Sequence, residues 1–142
     1  MFLEGIFSHT KEEIFLYTPK IHPLLYSWHN DNKKNYNLSC PKINFPFWRS
    51  LCLDTKIKKD NIDIFHGLSN EIPYFFKKPK AKIIVTIHDL IFLKHPDLYP
   101  KIDKIIYTRK TKYACKKADH IIIGGGMAFT FLKIRDNINI GN

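Results

Sequence analysis

Ala81–Pro100 reads AKIIVTIHDLIFLKHPDLYP. Ile83–Ile87 is a short, continuous apolar run rich in β-branched residues, the signature of a strand buried on both faces. It stops abruptly at His88-Asp89. A buried strand needs only apolar side chains, so a titratable pair at its carboxyl end calls for a reason. Ligands of open α/β sheets sit just beyond such strand ends, which makes His88 and Asp89 the first candidates for chemistry. The competing account is a histidine that caps its own loop, with Asp89 as a turn residue.

The neighbouring segments extend the same pattern. Downstream, Pro100–Lys117 predicts a helix, with Asp103 near its start, Lys116 and Lys117 at its end, and Ile102, Ile105, Ile106 and Tyr113 as its apolar stripe. Ala118-Asp119 breaks it, His120–Ile123 is a further strand, Gly124–Gly126 a turn, and Met127–Arg135 a short helix. Upstream, Ile62–Phe65 is a strand followed by His66-Gly67, and Phe45–Lys59 predicts one amphipathic helix. Glu13–Thr18 and Asn35–Ser39 are brief strands, and Ile21–Lys34 reads as a surface loop, or a loop with one short turn of helix, with Tyr26 and Trp28 as core or loop anchors. Strands alternating with helices imply an α/β fold, an incomplete Rossmann-like parallel sheet covered on both faces.

Composition bounds the function classes. The 142 residues are 44% hydrophobic and 25% charged, enough for one globular domain with a core. No apolar run reaches the length of a membrane span, and the N-terminus lacks a basic region followed by a long apolar one, so no secretory signal is expected. Cytoplasm is the expected location, with a membrane face as a peripheral option. Cys40, Cys52 and Cys115 are odd in number and widely spaced, which predicts reduced thiols rather than disulfides or a zinc cluster.

The net charge of +10 could attract a phosphate-bearing substrate, anionic lipid or nucleic acid. The excess is nearly all lysine, with arginine only at 49, 109 and 135. Together with abundant Ile, Asn, Phe and Tyr, that is the profile of AT-rich codons. Nucleic-acid readers favour arginine, so no nucleic-acid partner is expected. An anionic membrane surface remains a candidate, because lysine serves there as well. Phe47 and Trp48 beside Arg49 could add an apolar patch facing a membrane or acceptor.

Two further candidates carry weaker signals. His66-Gly67 would open onto the same crevice as His88 if their strands are neighbours. Gly124, Gly125 and Gly126, between a strand and a helix, could cradle a phosphate. They do not form GxGxxG, and no Lys-Ser/Thr follows to make a P-loop; a plain tight turn is the simpler account. His88 and His95 lack a third ligand at sensible spacing, so no metal is expected.

The order of three runs, DIFHGLSNEIP (Asp63–Pro73), KIIVTIHDLIFLKHPDLYP (Lys82–Pro100) and YACKKADHIII (Tyr113–Ile123), resembles the N-terminal domain of family 4 retaining glycosyltransferases of the GT-B fold. The resemblance covers roughly Glu13–Ile123 and implies residues 1–123 as a truncated acceptor-side domain. It implies that His88 faces the donor sugar and hydrogen-bonds a sugar hydroxyl, that Asp89 fixes the loop, and that His66 and Gly67 lie at the substrate. The implied substrates are a nucleotide-sugar and a glycan or lipid-linked acceptor, with hexosyl or mannosyl transfer and no resident cofactor. The family's donor-binding domain is absent, so little or no turnover is expected. The tail, IIIGGGMAFTFLK followed by NINIGN, resembles instead a strand–glycine loop–helix segment of the nucleotide-binding domain of phosphoglycerate kinase. There the glycines lie near the adenosine of the nucleotide. This implies residues 124–142 as a short kinase-like tail, a chimera joined at His120–Ile123. The alternative function is accordingly a nucleotide-binding or phosphotransfer fragment, and another is a non-enzymatic basic protein on a membrane surface.

Overall fold

A computed structural model of the chain describes residues 11–21, 23, 36–41, 47–75, 77 and 79–139. The chain divides into two units, Met1–Trp48 and Arg49–Asn142. The architecture is α/β with parallel strands throughout, in two small sheets consistent with a partial Rossmann-like fold. The loop Ile21–Lys34 with Tyr26 and Trp28, the start of the predicted helix at Phe45 and Pro46, and any leader at residues 1–10 lie outside the described residues, apart from Ile21 and Pro23.

The first unit holds two parallel strands, β1 (Ile14–Tyr17) and β2 (Tyr36–Ser39), in register from Ile14↔Tyr36 to Tyr17↔Ser39. β1 is the aromatic and β-branched run IFLY, well suited to a pleated, half-buried surface. Phe15 and Tyr17 point to one face two residues apart and stack with ring centroids 6.5 Å apart.

The second unit carries the candidate residues. Helices α1 (Trp48–Leu51) and α2 (Leu53–Lys59) replace the single helix expected over Phe45–Lys59. The break falls at Cys52, where the Ser50 carbonyl accepts the Tyr74 N–H at 2.8 Å and the Thr55 hydroxyl donates to the Cys52 carbonyl at 2.7 Å. Trp48 is buried, so the expected apolar patch is reduced to Phe47, beside an exposed Arg49 that pairs with Glu71 at 3.1 Å.

α2 ends in a Schellman motif. Asn61 adopts φ +50°, its N–H bonds the Lys58 carbonyl, and the Ile62 N–H bonds the Ile57 carbonyl. Ile62 is thereby consumed by the cap. Strand β3 therefore begins two residues later than expected, at Ile64–Gly67, and includes His66 and Gly67 rather than ending before them.

Strands β3, β4 (Lys82–Ile87) and β5 (His120–Ile123) form a parallel sheet in that order. β4 is central, and Val85 is 0% exposed. Leu53, Ile57, Phe65, Ile72, Ile83, Ile87, Phe92 and Ala114 are also buried. Such side chains each contribute roughly 1.5–3 kcal/mol when fully removed from water. After β4 come a short helix α3 (Ile91–Lys94), a 3-10 turn (Pro96–Leu98) and the long helix α4 (Lys101–Lys117). Asp119 then sets where β5 starts: its carboxylate accepts the Ile83 N–H and its own N–H donates to the Ile83 carbonyl, both at 2.8 Å.

Two packing expectations are corrected. The buried positions of α4 are Thr111 and Ala114, whereas Ile102 and Ile105 of the expected stripe are 71% and 51% exposed. Small residues let the second half of the helix approach closely, and Tyr113 secures it there. The Tyr113 hydroxyl accepts the Phe75 N–H at 2.8 Å, and its ring lies 4.6 Å from that of Tyr74. The sheet is also not covered throughout. Adjacent Ile121 and Ile122 point to opposite faces of β5 and both are exposed, so coverage stops at β4 on that side. Helix α5 (Gly126–Asp136), which follows β5, buries none of its residues.

Candidate functional site

All three strands of the second sheet run the same way, so their carboxyl ends share one edge. The register pairs Gly67 with Val85 and Ile87 with Ile123. His66 and Gly67 close β3, His88 and Asp89 follow β4, and Gly124–Gly126 follow β5. The residues singled out in sequence thus come together at the place where open α/β sheets hold ligands.

His88 is held by β3's exit. Its backbone N–H donates to Asn70 Oδ1 at 2.9 Å, and its ring Nε2 lies 2.8 Å from the Leu68 carbonyl. A carbonyl can only accept, so Nε2 carries a proton. In the neutral ring this leaves Nδ1 as the acceptor, on the side of the ring facing Gly124. A Cβ built on Gly124 would lie 3.3 Å from Nδ1 and 3.5 Å from Thr86 Cγ2.

Asn70 is the organising residue that sequence reasoning missed. It sits at φ +55°, donates its N–H to the Thr86 carbonyl at 3.0 Å, and donates Nδ2 to the Asp89 carbonyl at 2.8 Å. Asparagine tolerates this left-handed backbone better than most residues, and Ser69-Asn70 after a strand was the available signal. Asp89 is engaged locally, its Oδ1 accepting the Ile91 N–H at 3.2 Å two residues on. That is the geometry of a turn-forming aspartate.

His66 Nε2 pairs with Thr86 Oγ1 at 2.7 Å, tying β3 to β4 at the same edge. The surrounding protein desolvates the ring and lowers its pKa below the ordinary histidine value of 6.5. Gly67 has a packing reason: a Cβ there would come within 2.3 Å of the Glu71 carbonyl oxygen.

The glycine loop leaves the sheet with its first N–H on the Ile87 carbonyl at 2.9 Å. Gly125 adopts φ +63°, ψ −159°, a region open essentially to glycine alone. It is also the N-cap of α5 and offers no side-chain cap to the first-turn amides. A Cβ on Gly126 would meet nothing within 4 Å. The Gly126 face of the loop is therefore open, Gly124 lies against the His88 imidazole, and the first-turn amides are donors without a side-chain cap. Donors of this kind suit a polarised oxygen or a phosphate.

His95 is exposed beyond α3, its N–H on the Ile91 carbonyl at 2.7 Å. Among the described residues no group of three or more His, Cys, Asp or Glu is placed to hold a metal, and no helix is long and apolar enough to cross a membrane.

Comparison with known proteins adds one relationship. The chain is 37% identical over 75 residues to phosphoglycerate kinase of Komagataella pastoris, covering 53% of this chain and 16% of that protein. It is equally similar, over the same shares, to phosphoglycerate kinase of Eremothecium gossypii. The similarity is thus longer than the tail 120–142, and the chain spans about one sixth of the length of these relatives. No family model matches, and no solved structure matches. The glycosyltransferase resemblance finds no support in these comparisons.

Proposed function

We propose that this chain is a nucleotide-binding fragment of the phosphoglycerate kinase type, with the strand-end glycine loop as the point of phosphate contact. The observation that carries this reading is the conformation of Gly124–Gly126 beside His88. Gly125 turns the chain into α5, Gly126 leaves its approach open, and Nδ1 of His88 faces the loop. The 37% identity to phosphoglycerate kinases supports it. The residues present fit a phosphate: the backbone amides of the turn into α5 can donate to its oxygens, and Nδ1 of His88 can accept from a protonated phosphate or a bound hydroxyl. One loop supplies no base pocket, so affinity is expected near a Kd of about 1 mM. Phosphoryl transfer needs both substrates held together, and the chain alone is expected to show none.

An NMR titration of the amide signals tests the reading. ADP should move the signals of Gly124–Met127 and His88. Gly126→Ala should weaken that response while the remaining spectrum stays unchanged, because its Cβ enters empty space. No shift at the loop at 10 mM ADP would defeat the proposal. A response to GDP-mannose but not to ADP, centred on His66 and His88, would favour the glycosyltransferase lineage instead.

A further inference from the structure

A separate surface lies on α4. Lys101, Ile105, Arg109, Lys112 and Lys116 are spaced by four, four, three and four residues, which places them on one helical face. Ile102 borders the same face. All six are exposed, with Ile102 at 71% and Ile105 at 51%. Thr111 and Ala114 form the opposite, buried side. Asp103, the only acidic residue of the helix, is half-buried and off this face, and Lys110 is turned away to its ion pair with Glu71. The face therefore carries four cations, two isoleucines and no carboxylate.

We infer that this face of α4 docks on an anionic lipid surface, with the helix lying along it. The charge complements phosphate headgroups, and the isoleucines account for the choice of ligand. Folding gives no reason for them, since they pack on nothing that buries them. A polyanion in water gains little from them, whereas the boundary between headgroups and acyl chains takes up apolar side chains between basic ones. Lysine is sufficient for this role, contributing about fivefold in partitioning per residue near an anionic surface. The helix cannot span a bilayer, so the contact is interfacial. It is independent of the glycine loop.

Vesicle flotation of the full chain tests the inference. The protein should float with vesicles of 30% phosphatidylglycerol in phosphatidylcholine, stay in solution with pure phosphatidylcholine, and be released by 0.5 M salt. Lys112→Gln with Lys116→Gln should lower the partition coefficient about 25-fold. Ile102→Ser with Ile105→Ser should lower it at constant charge. All four positions are exposed, and circular dichroism checks that the variants remain folded. Equal binding to both vesicle types, or flotation indifferent to both pairs of substitutions, would overturn the inference. So would tight binding of a single-stranded RNA 20-mer without flotation, which would make the face a nucleic-acid surface.

Discussion

Asn70 and His88 are joined by a bond that fixes both strand exits: Asn70 Oδ1 accepts the His88 N–H at 2.9 Å while Asn70 itself stands at φ +55°. The amide side chain does the work of a missing ladder rung between β3 and β4, and its Nδ2 reaches the Asp89 carbonyl as well. The orientation of the His88 ring at Leu68 depends on this link.

Asn70→Ala should be costly for two reasons. It removes both side-chain bonds, about 1 kcal/mol each, and places a Cβ residue in the left-handed region without asparagine's local compensation. Asn70→Gly removes the same bonds but tolerates the backbone. Urea denaturation should rank stability as wild type, then Gly, then Ala, with a total loss of about 2–3 kcal/mol for Ala. Equal losses in the two variants would remove the backbone part of the account.

The glycine loop predicts opposite outcomes at adjacent positions. Gly125→Ala forces a side chain into φ +63°, ψ −159° and should destabilise by about 1–3 kcal/mol. Gly126→Ala meets nothing within 4 Å and improves helix propensity, so its stability should be unchanged or up by as much as about 1 kcal/mol. Thermal melts of the two variants decide it.

Stability should depend on His66 through pH. Desolvation lowers its folded pKa below 6.5, so the unfolded chain binds the proton more readily. Stability contributed by His66 is complete above the unfolded value and declines as pH falls from there through the lower folded value. Urea midpoints for wild type should drop as pH falls through and below 6.5, and His66→Asn should flatten part of that drop. An identical slope in the variant would place the proton uptake on other histidines.

Asn61→Gly tests the Schellman cap of α2. The φ of +50° costs an asparagine more than a glycine, so the substitution should be neutral or stabilising by a few tenths of a kcal/mol, whereas Asn61→Ala should destabilise by about 1 kcal/mol. Chemical denaturation of the pair measures the difference.

The sequence was most legible where the chain is most buried. Ile83–Ile87 reads as a strand because apolar packing dominates it, whereas the mostly exposed His120–Ile123 is legible from its β-branched run alone. It misled where a local bond diverts the backbone. Ile62 looks like the start of β3 but closes a cap, and Cys52 divides a helix whose periodicity runs through it. The stripe of α4 was misassigned because small Thr111 and Ala114, rather than the isoleucines, make the close approach to β4. At the site, the meeting of His66, His88 and the glycines follows from parallel strands ending together. Asn70 was not foreseen, since its role exists only once β3 and β4 are side by side. The glycosyltransferase resemblance over roughly Glu13–Ile123 finds no support among known proteins, whereas the phosphoglycerate kinase resemblance of IIIGGGMAFTFLK and NINIGN agrees with the 37% identity over 75 residues.

Helix α5 has a thermodynamic consequence for anything that meets its first turn. It spans Gly126–Asp136, buries none of its residues, and leaves Ile134 81% exposed. A helix this short is marginal in water without tertiary support, so its coil–helix equilibrium stands in series with ligand capture. For the proposed phosphate contact at the loop, the apparent affinity would be the intrinsic affinity multiplied by the helical fraction. Whatever lends α5 a packing surface would tighten binding there without touching the ligand.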